Sequence, residues 1–310
     1  MQHYPLFVLL GPTASGKTKL AVALAEILDA EILSADSRQV FRGMDIGTGK
    51  DLAEYQIQGK QIPYHLIDIK DAGEKYNVNE FKDDFYLAFD GITQRNKLAL
   101  LCGGTGMYIH ALLQDHSYTA IPANEILRPE LELLETDLLH RRLMAYRLEL
   151  RSQADFSSRK RVIRAIEIAE YLQHHELIVP ERPLMRPFVV GLTSDVVLRR
   201  KRIVDRLELR LKGGMIEEVQ SLLARGLSKD MLNFYGLEYK LIGAYLFGEI
   251  DYGMLKERLE IEIRQFAKRQ MTFFRKMEKD GVRIHWFNTD ENSDELLLSV
   301  LNLYRQQFNL

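Results

Sequence analysis

The chain has 310 residues, 46% hydrophobic and 28% charged, with a formal net charge of −2 at pH 7, which fits one large or two moderate globular domains and gives no global signal for nucleic-acid binding. A single cysteine, Cys102, excludes a disulfide framework and a multi-cysteine zinc site and fits a reducing compartment. The apolar run near the N-terminus, residues 6–10, is too short for a signal peptide or a membrane span, so we expect a cytoplasmic protein without membrane contact.

A complete phosphate-loop motif follows this first predicted strand. The motif, G-x-x-x-x-G-K-[ST], consists of Gly11, Pro12, Thr13, Ala14, Ser15, Gly16, Lys17 and Thr18. Its glycines let backbone N–H groups face an anion, Lys17 adds a mobile positive charge, and the Thr18 hydroxyl suits a Mg²⁺ ion. Apolar spacing over residues 17–28 predicts the helix that the motif requires. We therefore predict a polyphosphate site with Mg²⁺ at Thr18. The motif does not identify which phosphate-containing molecule binds there.

The second predicted strand, residues 30–36, ends in the carboxylate of Asp36. In an open parallel sheet, ligands bind at the carboxyl ends of the strands. Asp36 is therefore a candidate site residue, but it can equally cap the turn that follows. The next loop, residues 43–51, contains three glycines, which indicate either backbone held near a ligand or a flexible connector.

Residues 64–69 predict a third strand, residues 79–95 a helix, and residues 98–104 a buried parallel strand that ends in a glycine turn. Thr105 opens the next helix, which places its hydroxyl at the same sheet edge as Asp36. For Thr105, too, a helix cap and a ligand contact are equally good interpretations.

Between residues 119 and 187 the strand–helix alternation stops, and helical patterning rich in arginine replaces it. We predict an inserted helical domain over residues 119–187, with the core formed by residues 1–118 and 188–310. Charged helix faces are usually solvated surface, so a binding role for this basic face stays the less common alternative.

The alternation resumes with a strand over residues 188–193, and residues 196–284 hold 19 Lys and Arg against 13 Asp and Glu. A long helix over residues 255–279 and a strand over residues 282–287 precede a C-terminal helix near residues 295–306. The predicted fold is α/β, a P-loop NTPase-like parallel sheet core flanked by helices, with an inserted mainly helical domain. One helix face of the basic region favours an anionic partner, because it presents Arg199, Arg202, Arg206 and Arg210.

In combination, these motifs resemble the bacterial-type tRNA dimethylallyltransferases, also called tRNA isopentenyltransferases. The resemblance runs in one order from Leu6 to Phe287 and rests on the phosphate loop and on residues 34–48, 65–68, 103–108, 161–167 and 267–275. It implies transfer of a dimethylallyl group from dimethylallyl diphosphate to N6 of adenosine 37 in the anticodon stem-loop of tRNA. Diphosphate is the other product. We expect the protein to be a monomer, a state that the sequence itself does not fix.

The resemblance also implies roles for individual residues. Asp36 is the candidate base, while Lys17, Thr18 with Mg²⁺, and Arg206 stabilise the departing diphosphate. The implied tRNA contacts are Asp36, Ser37, Arg38, Gln39, Thr105, Arg128, Lys160, Arg161, Val162, Ile163, Arg164, Lys268, Arg269, Gln270 and Arg275. The chain departs from the family pattern over residues 235–239, where a Gly-Tyr-Arg/Lys-Gln motif is usual, so we carry no role to that segment.

Three other functions fit parts of the sequence. A small-molecule or nucleotide kinase shares the phosphate loop and binds ATP, but the strand over residues 98–104 lacks an acidic end and the arginines extend beyond a kinase-sized core. An adenylate isopentenyltransferase leaves the basic helices without a purpose. A phosphate-loop RNA-binding protein without chemistry differs from an enzyme in one test, because Asp36→Ala removes turnover only from an enzyme.

Overall fold

A computed structural model describes residues 3–57, 59–114, 116–152, 154–290 and 292–309. The chain divides into two compact units, one formed by the residues up to Gln114 together with those from Pro183 onward, and the other by the residues between them. No helix in these ranges is both long enough and apolar enough to cross a membrane.

The first unit is built on a parallel sheet. The strands are, in chain order, β1 (His3–Leu10), β2 (Ala30–Ser34), β3 (Gln56–Ile57), β4 (Lys60–Gln61), β5 (Tyr64–His65), β6 (Leu98–Gly103), β7 (Leu184–Thr193) and β8 (Ile284–Asn288). Six of them form one sheet in the order β5-β2-β6-β1-β7-β8, and each neighbouring pair is parallel. This topology confirms the predicted parallel α/β core.

Helices of the first unit cover both faces of the sheet. The α-helices of the described residues in both units are, in chain order, α1 (Lys17–Ile27), α2 (Val78–Gln94), α3 (Gly106–Leu113), α4 (Leu127–Leu133), α5 (Thr136–Ala145), α6 (Arg159–His174), α7 (Val196–Lys212), α8 (Met215–Ala224), α9 (Lys229–Phe234), α10 (Leu237–Leu246), α11 (Tyr252–Lys279) and α12 (Ser293–Phe308). The second unit consists mainly of α4, α5 and α6, whose apolar side chains form a separate core.

The side chains of β1 divide between the two layers because successive residues of a strand point to opposite faces. Leu6, Val8 and Leu10 are buried in the core beneath α2, α3 and α7–α11. Phe7 and Leu9 are buried in the opposite core beneath α1 and α12. A strand covered on both faces lies in the centre of the sheet, which fixes the phosphate loop at its end in the middle of the carboxyl edge.

The third predicted strand is shorter than expected. The prediction over residues 64–69 is wrong beyond His65, because Leu66 and Asp68 have φ values of 66° and 56°, which no strand accommodates. This left-handed backbone brings the Asp68 carboxylate to the buried ammonium of Lys50, which also donates to the Phe41 carbonyl at 2.6 Å. A buried charge needs such partners, so the ion pair opposes continuation of the strand.

Strand β7 begins at Leu184, four residues before the predicted start, so the predicted domain boundary at residue 187 lies inside a strand. The first residues of β7 were not predicted because proline, here Pro187, is uncommon within a strand. Here β7 pairs only with β1 at Pro187, and its pairing with β8 starts at Val189. The side left open at residue 187 tolerates a residue without an N–H group.

Candidate active site

Three loops that carry predicted site residues lie next to one another at the carboxyl edge of the sheet. They follow β2, β6 and β1, which are neighbours in the strand order. A cavity of about 570 Å³ opens at this edge. The predicted residues that line it are Thr13, Lys17, Thr18, Asp36, Ser37, Arg38, Gln39, Thr105, Arg206, Arg269 and Gln270.

The phosphate loop positions Lys17 at the start of α1, where Gly16 adopts φ 75°. The Lys17 ammonium donates to the Pro12 carbonyl at 2.8 Å and lies 3.5 Å from the Ser15 hydroxyl. Burial lowers the pKa of Lys17 to about 8; the nearby Cys102 and Asp36 oppose this shift, and the Arg206 charge adds to it. Burial therefore disfavours the charged form of Lys17, and an anion bound in the loop would stabilise that charged form.

A network of hydrogen bonds fixes the turn that carries Asp36. One carboxylate oxygen of Asp36 accepts from the Arg38 backbone N–H at 2.9 Å, so the turn-capping interaction exists alongside a position on the cavity wall. The Thr105 hydroxyl makes no side-chain cap on α3 but accepts from the Ser37 backbone N–H at 3.0 Å. Thr105 therefore holds the Asp36 turn against the end of β6. Gln39 extends the network, donating to the Gly49 carbonyl at 3.1 Å.

Arg38 anchors the same turn to α9. Its Nη1 donates to the Phe234 carbonyl at 2.7 Å, and its guanidinium carbon lies 5.9 Å from the centre of the Phe234 ring. Burial lowers the pKa of this guanidinium. Arg38 thus has protein partners in addition to its place on the cavity wall.

The arginines of α7 separate into two groups. Arg202 is bound to Thr289, with Nη1 donating to its hydroxyl at 2.9 Å and Nη2 to its carbonyl at 3.0 Å. Arg206 and Arg210 line the cavity, and Arg206 Nη2 is hydrogen-bonded to Asp51 Oδ2. The predicted face of four guanidiniums therefore presents two of them to the cavity shared with Lys17.

Helix α11 closes the site from the side with a buried amide. Gln270 accepts from the Thr13 backbone N–H at 2.8 Å and donates to the Gly104 carbonyl at 3.0 Å. A Cβ at position 104 would lie 2.3 Å from Gln270 Nε2, so any larger residue there would displace this amide. Gln270 thus joins the phosphate loop to the loop after β6. The exposed predicted RNA contacts on α11 are Lys268, Arg269 and Arg275.

In the second unit, two of the predicted RNA contacts pair with the same buried carboxylate, Glu167. Arg128 binds the fully buried Glu167 carboxylate through two hydrogen bonds, at 2.9 and 2.6 Å. Arg164 donates to the Pro122 and Tyr118 carbonyls at 3.1 and 3.2 Å and lies 3.5 Å from Glu167. Both arginines therefore stabilise the unit itself.

The remaining predicted contacts of α6 differ in exposure. Val162 and Ile163 are buried in the core of the second unit, so their side chains do not reach its surface. Lys160 and Arg161 are exposed, and Arg161 is paired with Asp155 at 2.9 Å. The cationic surface that α6 offers consists of these last two residues.

Three charged residues in or beside the cavity wall were not predicted as site residues. Asp51 pairs with Arg206, Arg210 was noted only as part of a charged stripe, and Glu238 lines the same cavity. Burial raises the pKa of Glu238, against the opposing charges of Arg210 and Arg38. The available signal was the departure from the family pattern over residues 235–239, which places a carboxylate where a cation is usual.

Two family models and many curated relatives match this chain, and all those named below are isopentenyl or dimethylallyl transferases. The IPP transferase family model matches residues 39–277, and the isopentenyl transferase model matches residues 4–68. The tRNA dimethylallyltransferase 1 of Parabacteroides distasonis is 46% identical over 307 residues, covering 99% of this chain and 100% of the relative. A tRNA dimethylallyltransferase 2 of Porphyromonas gingivalis is 49% identical over 302 residues, covering 96% and 99%.

Solved structures extend the similarity to three dimensions. The tRNA isopentenylpyrophosphate transferase of Bacillus halodurans superposes with a TM-score of 0.73 at 32% identity, covering 99% of this chain and 97% of that one. A eukaryotic dimethylallyltransferase acting on tRNA shares the fold, with a TM-score of 0.75 at 19% identity over 98% of this chain and 80% of that one.

Proposed function

Because this chain belongs to the IPP transferase family, we propose that it transfers a dimethylallyl group from dimethylallyl diphosphate to N6 of adenosine 37 in tRNA. The proposal rests on one observation above all. Lys17 and Arg206, which suit a diphosphate, line the same cavity as Asp36, which suits an amine proton. Donor and acceptor of the group can therefore meet within one site of about 570 Å³.

The cations Lys17 and Arg206 in the cavity wall suit the leaving group. As the allylic C–O bond breaks, its electron pair goes to the diphosphate and positive charge develops on carbon. Donors fixed on the diphosphate stabilise this charge separation, because they do not need to reorganise during the reaction. In our proposal Lys17, Arg206 and the N–H groups of the phosphate loop perform that task, and the shared cavity supports this assignment.

Asp36, which lines the same cavity, suits the nucleophile. The adenine N6 lone pair is delocalised into the ring, so a carboxylate that accepts the amine proton assists the formation of the C–N bond. Asp36 is that acceptor in our proposal, and Thr105 positions it by holding the next residue of its turn. An adenine in a loop must leave its stack to enter such a cavity, and loop bases do so at the lowest cost.

We propose that a Mg²⁺ ion binds here through Thr18, the substrate phosphates and water. Within the described ranges, no three His, Cys, Asp or Glu side chains cluster as a metal site. Mg²⁺ usually keeps several waters and binds one or two protein groups plus substrate phosphates. In our proposal Thr18 holds it, and when bound it neutralises charge on the diphosphate. Thr18→Ala should then raise the Mg²⁺ concentration needed for half-maximal transfer, whereas an unchanged requirement would argue against this role.

We further propose that tRNA binds through its anticodon stem-loop, with exposed cations of α6 and α11 contacting phosphates. We also propose that the protein acts as a monomer in the cytoplasm, where tRNA is found. Light scattering of the purified protein tests the oligomeric state. Substitution of Lys160 and Arg161 by alanine should lower the salt dependence of tRNA affinity by about one unit of slope for each lost contact.

The deciding experiment uses radiolabelled dimethylallyl diphosphate, Mg²⁺ and two unmodified tRNAs that differ only in adenosine or guanosine at nucleotide 37. Label on the first tRNA alone supports both the reaction and its position. Label on neither tRNA, together with phosphoryl transfer from ATP, would instead support the kinase. Equal label on both tRNAs would contradict the choice of nucleotide.

A further inference from the structure

Glu238 is a residue of the cavity wall to which the proposed reaction gives no role. It is the second residue of α10 and keeps part of its surface accessible. Its carboxyl lies close enough to interact electrostatically with Asp36, Arg38 and Arg210, which line the same cavity. Glu238 therefore places a second carboxyl beside the candidate base, within the space that the acceptor base would enter.

The nearby cations do not pair directly with this carboxyl. Within the described ranges Glu238 forms no salt bridge, and the carboxylate partner of Arg210 is Asp51, 3.9 Å away. Burial raises the pKa of Glu238, against a hydrogen bond from its own backbone N–H and the opposing charges of Arg210 and Arg38. A carboxyl has about four acceptor sites when ionised, and its neutral form both accepts and donates. Glu238 thus keeps hydrogen-bonding capacity that the described residues do not use.

Arg38 joins the turn that carries Asp36 to the start of α10. It follows Asp36 by two residues, and its Nη1 donates at 2.7 Å to the carbonyl of Phe234, which precedes Glu238 by four residues. A Cβ added to Gly236 would lie 3.1 Å from Arg38 Nε, so the guanidinium also packs against the backbone just before α10. Gly236 has φ 116°, a conformation that favours glycine. Asp36 and Glu238 therefore belong to adjoining segments that one side chain holds together.

The amine of adenine has two N–H groups, and the transfer reaction removes only one of these protons. The proton that Asp36 accepts leaves as the C–N bond forms, whereas the other stays on N6 in the product. This second N–H also needs an acceptor, because a donor that enters a cavity unpaired loses its hydrogen bond to water. Guanine carries an oxygen at the same place and offers no proton there. An acceptor for the second N–H would therefore distinguish adenine from guanine.

We infer that Glu238 is a specificity-determining residue for the acceptor base, its carboxyl accepting a hydrogen bond from the N6–H that is retained, an inference that rests on the proposed function. In the reaction the C–O bond of the donor breaks with its electron pair going to the diphosphate, the bond from carbon to N6 forms, and one N6 proton goes to Asp36. Glu238 keeps its protonation state throughout. Two carboxyls around one amine then disfavour a base with oxygen at this position.

The test measures the affinity of the full chain for two anticodon stem-loops that differ only in adenosine or guanosine at nucleotide 37. Binding is followed by fluorescence anisotropy with Mg²⁺ and inorganic diphosphate, so no group is transferred. Glu238→Leu should reduce the preference for adenosine about tenfold, as expected for the loss of one hydrogen bond. Glu238→Gln should keep most of the preference, because its amide oxygen still accepts. Glu257→Leu removes an exposed carboxylate of α11 outside the cavity lining and should keep the wild-type preference.

The inference is overturned if Glu238→Leu prefers adenosine as strongly as the wild type does. An equal loss of affinity for both stem-loops also overturns it, since that pattern indicates a structural role, and so does a loss of preference in Glu238→Gln as large as in Glu238→Leu. The binding experiment involves no transfer, so the two failures are distinguishable. A wild type that labels neither tRNA in the transfer assay would overturn the proposed function, whereas a wild type that labels tRNA beside an unchanged preference in Glu238→Leu would overturn only the role of Glu238.

Discussion

Lys17 should make diphosphate binding sensitive to pH near neutrality. Burial in the phosphate loop lowers its pKa to about 8, so the ammonium is about nine-tenths charged at pH 7 and about one-tenth charged at pH 9. An anion beside it raises that pKa again, so binding takes up a proton when the pH is above 8. Affinity should therefore fall about tenfold between pH 7 and pH 9 as the free protein loses the charge.

The measurement is titration calorimetry with inorganic diphosphate from pH 7 to pH 9, repeated in buffers of different ionisation enthalpy to count protons. Lys17→Arg is the control, because a guanidinium stays charged over this range while the ligand titrates identically with both proteins. Burial raises the pKa of the adjacent Cys102 thiol to about 12, so that group does not titrate in the window. The ratio of wild-type to variant affinity should fall about tenfold. A constant ratio would show that the loop does not lower the pKa of Lys17.

Three further changes test other parts of the site and the fold. Asp36→Asn keeps the oxygen that caps the turn, so it should retain tRNA affinity in filter binding yet lose about 100-fold or more in transfer rate; full activity would contradict the role as base. Arg128→Ala leaves the fully buried Glu167 carboxylate poorly paired and should lower the free energy of unfolding by about 2–4 kcal/mol in urea titrations. Glu238 favours its protonated form when folded, so wild-type stability should decline as pH rises above the ordinary glutamate value of 4.5, and Glu238→Gln should lack that decline.

The Arg128 variant has a control within the chain. Lys160→Ala changes an exposed cation of the same unit as Arg128 and should alter the unfolding free energy by less than about 0.5 kcal/mol. If Arg128→Ala is equally mild, its ion pair contributes little. For Glu238→Gln, identical pH dependence in variant and wild type would show that the carboxyl is ionised in the folded protein throughout the range.

The parts of the site that could be predicted from the sequence are contiguous motifs and residues that directly follow a predicted strand. The phosphate loop is contiguous, and Asp36 and Thr105 follow apolar runs, so the rule that ligands bind at the carboxyl ends of parallel strands placed them at one edge. The β5 strand was overestimated because its end depends on the ion pair between Lys50 and Asp68, two residues far apart in the chain. Short-range periodicity contains no information about such a pair.

The same limit explains the residues that were missed or given a different role. Gln270 lies 257 residues from the loop residue Thr13 whose N–H it accepts, and no spacing rule connects the two. Asp51 and Arg210 acquire meaning only because α7 packs beneath the glycine loop. Their roles follow from tertiary packing, whereas the motifs follow from the chemistry of a single segment.

The Gln270 amide has a consequence for how the two substrates communicate. It occupies the N–H of Thr13, within the phosphate loop, and sits on α11 directly beside the exposed cations Lys268 and Arg269. A nucleic acid that displaced α11 would alter the phosphate loop through this one side chain. Any preference thereby created must be mutual, because the factor by which one ligand changes the affinity of the second equals the factor in the reverse direction. Gln270 would then couple the binding of RNA to the binding of the isoprenoid diphosphate.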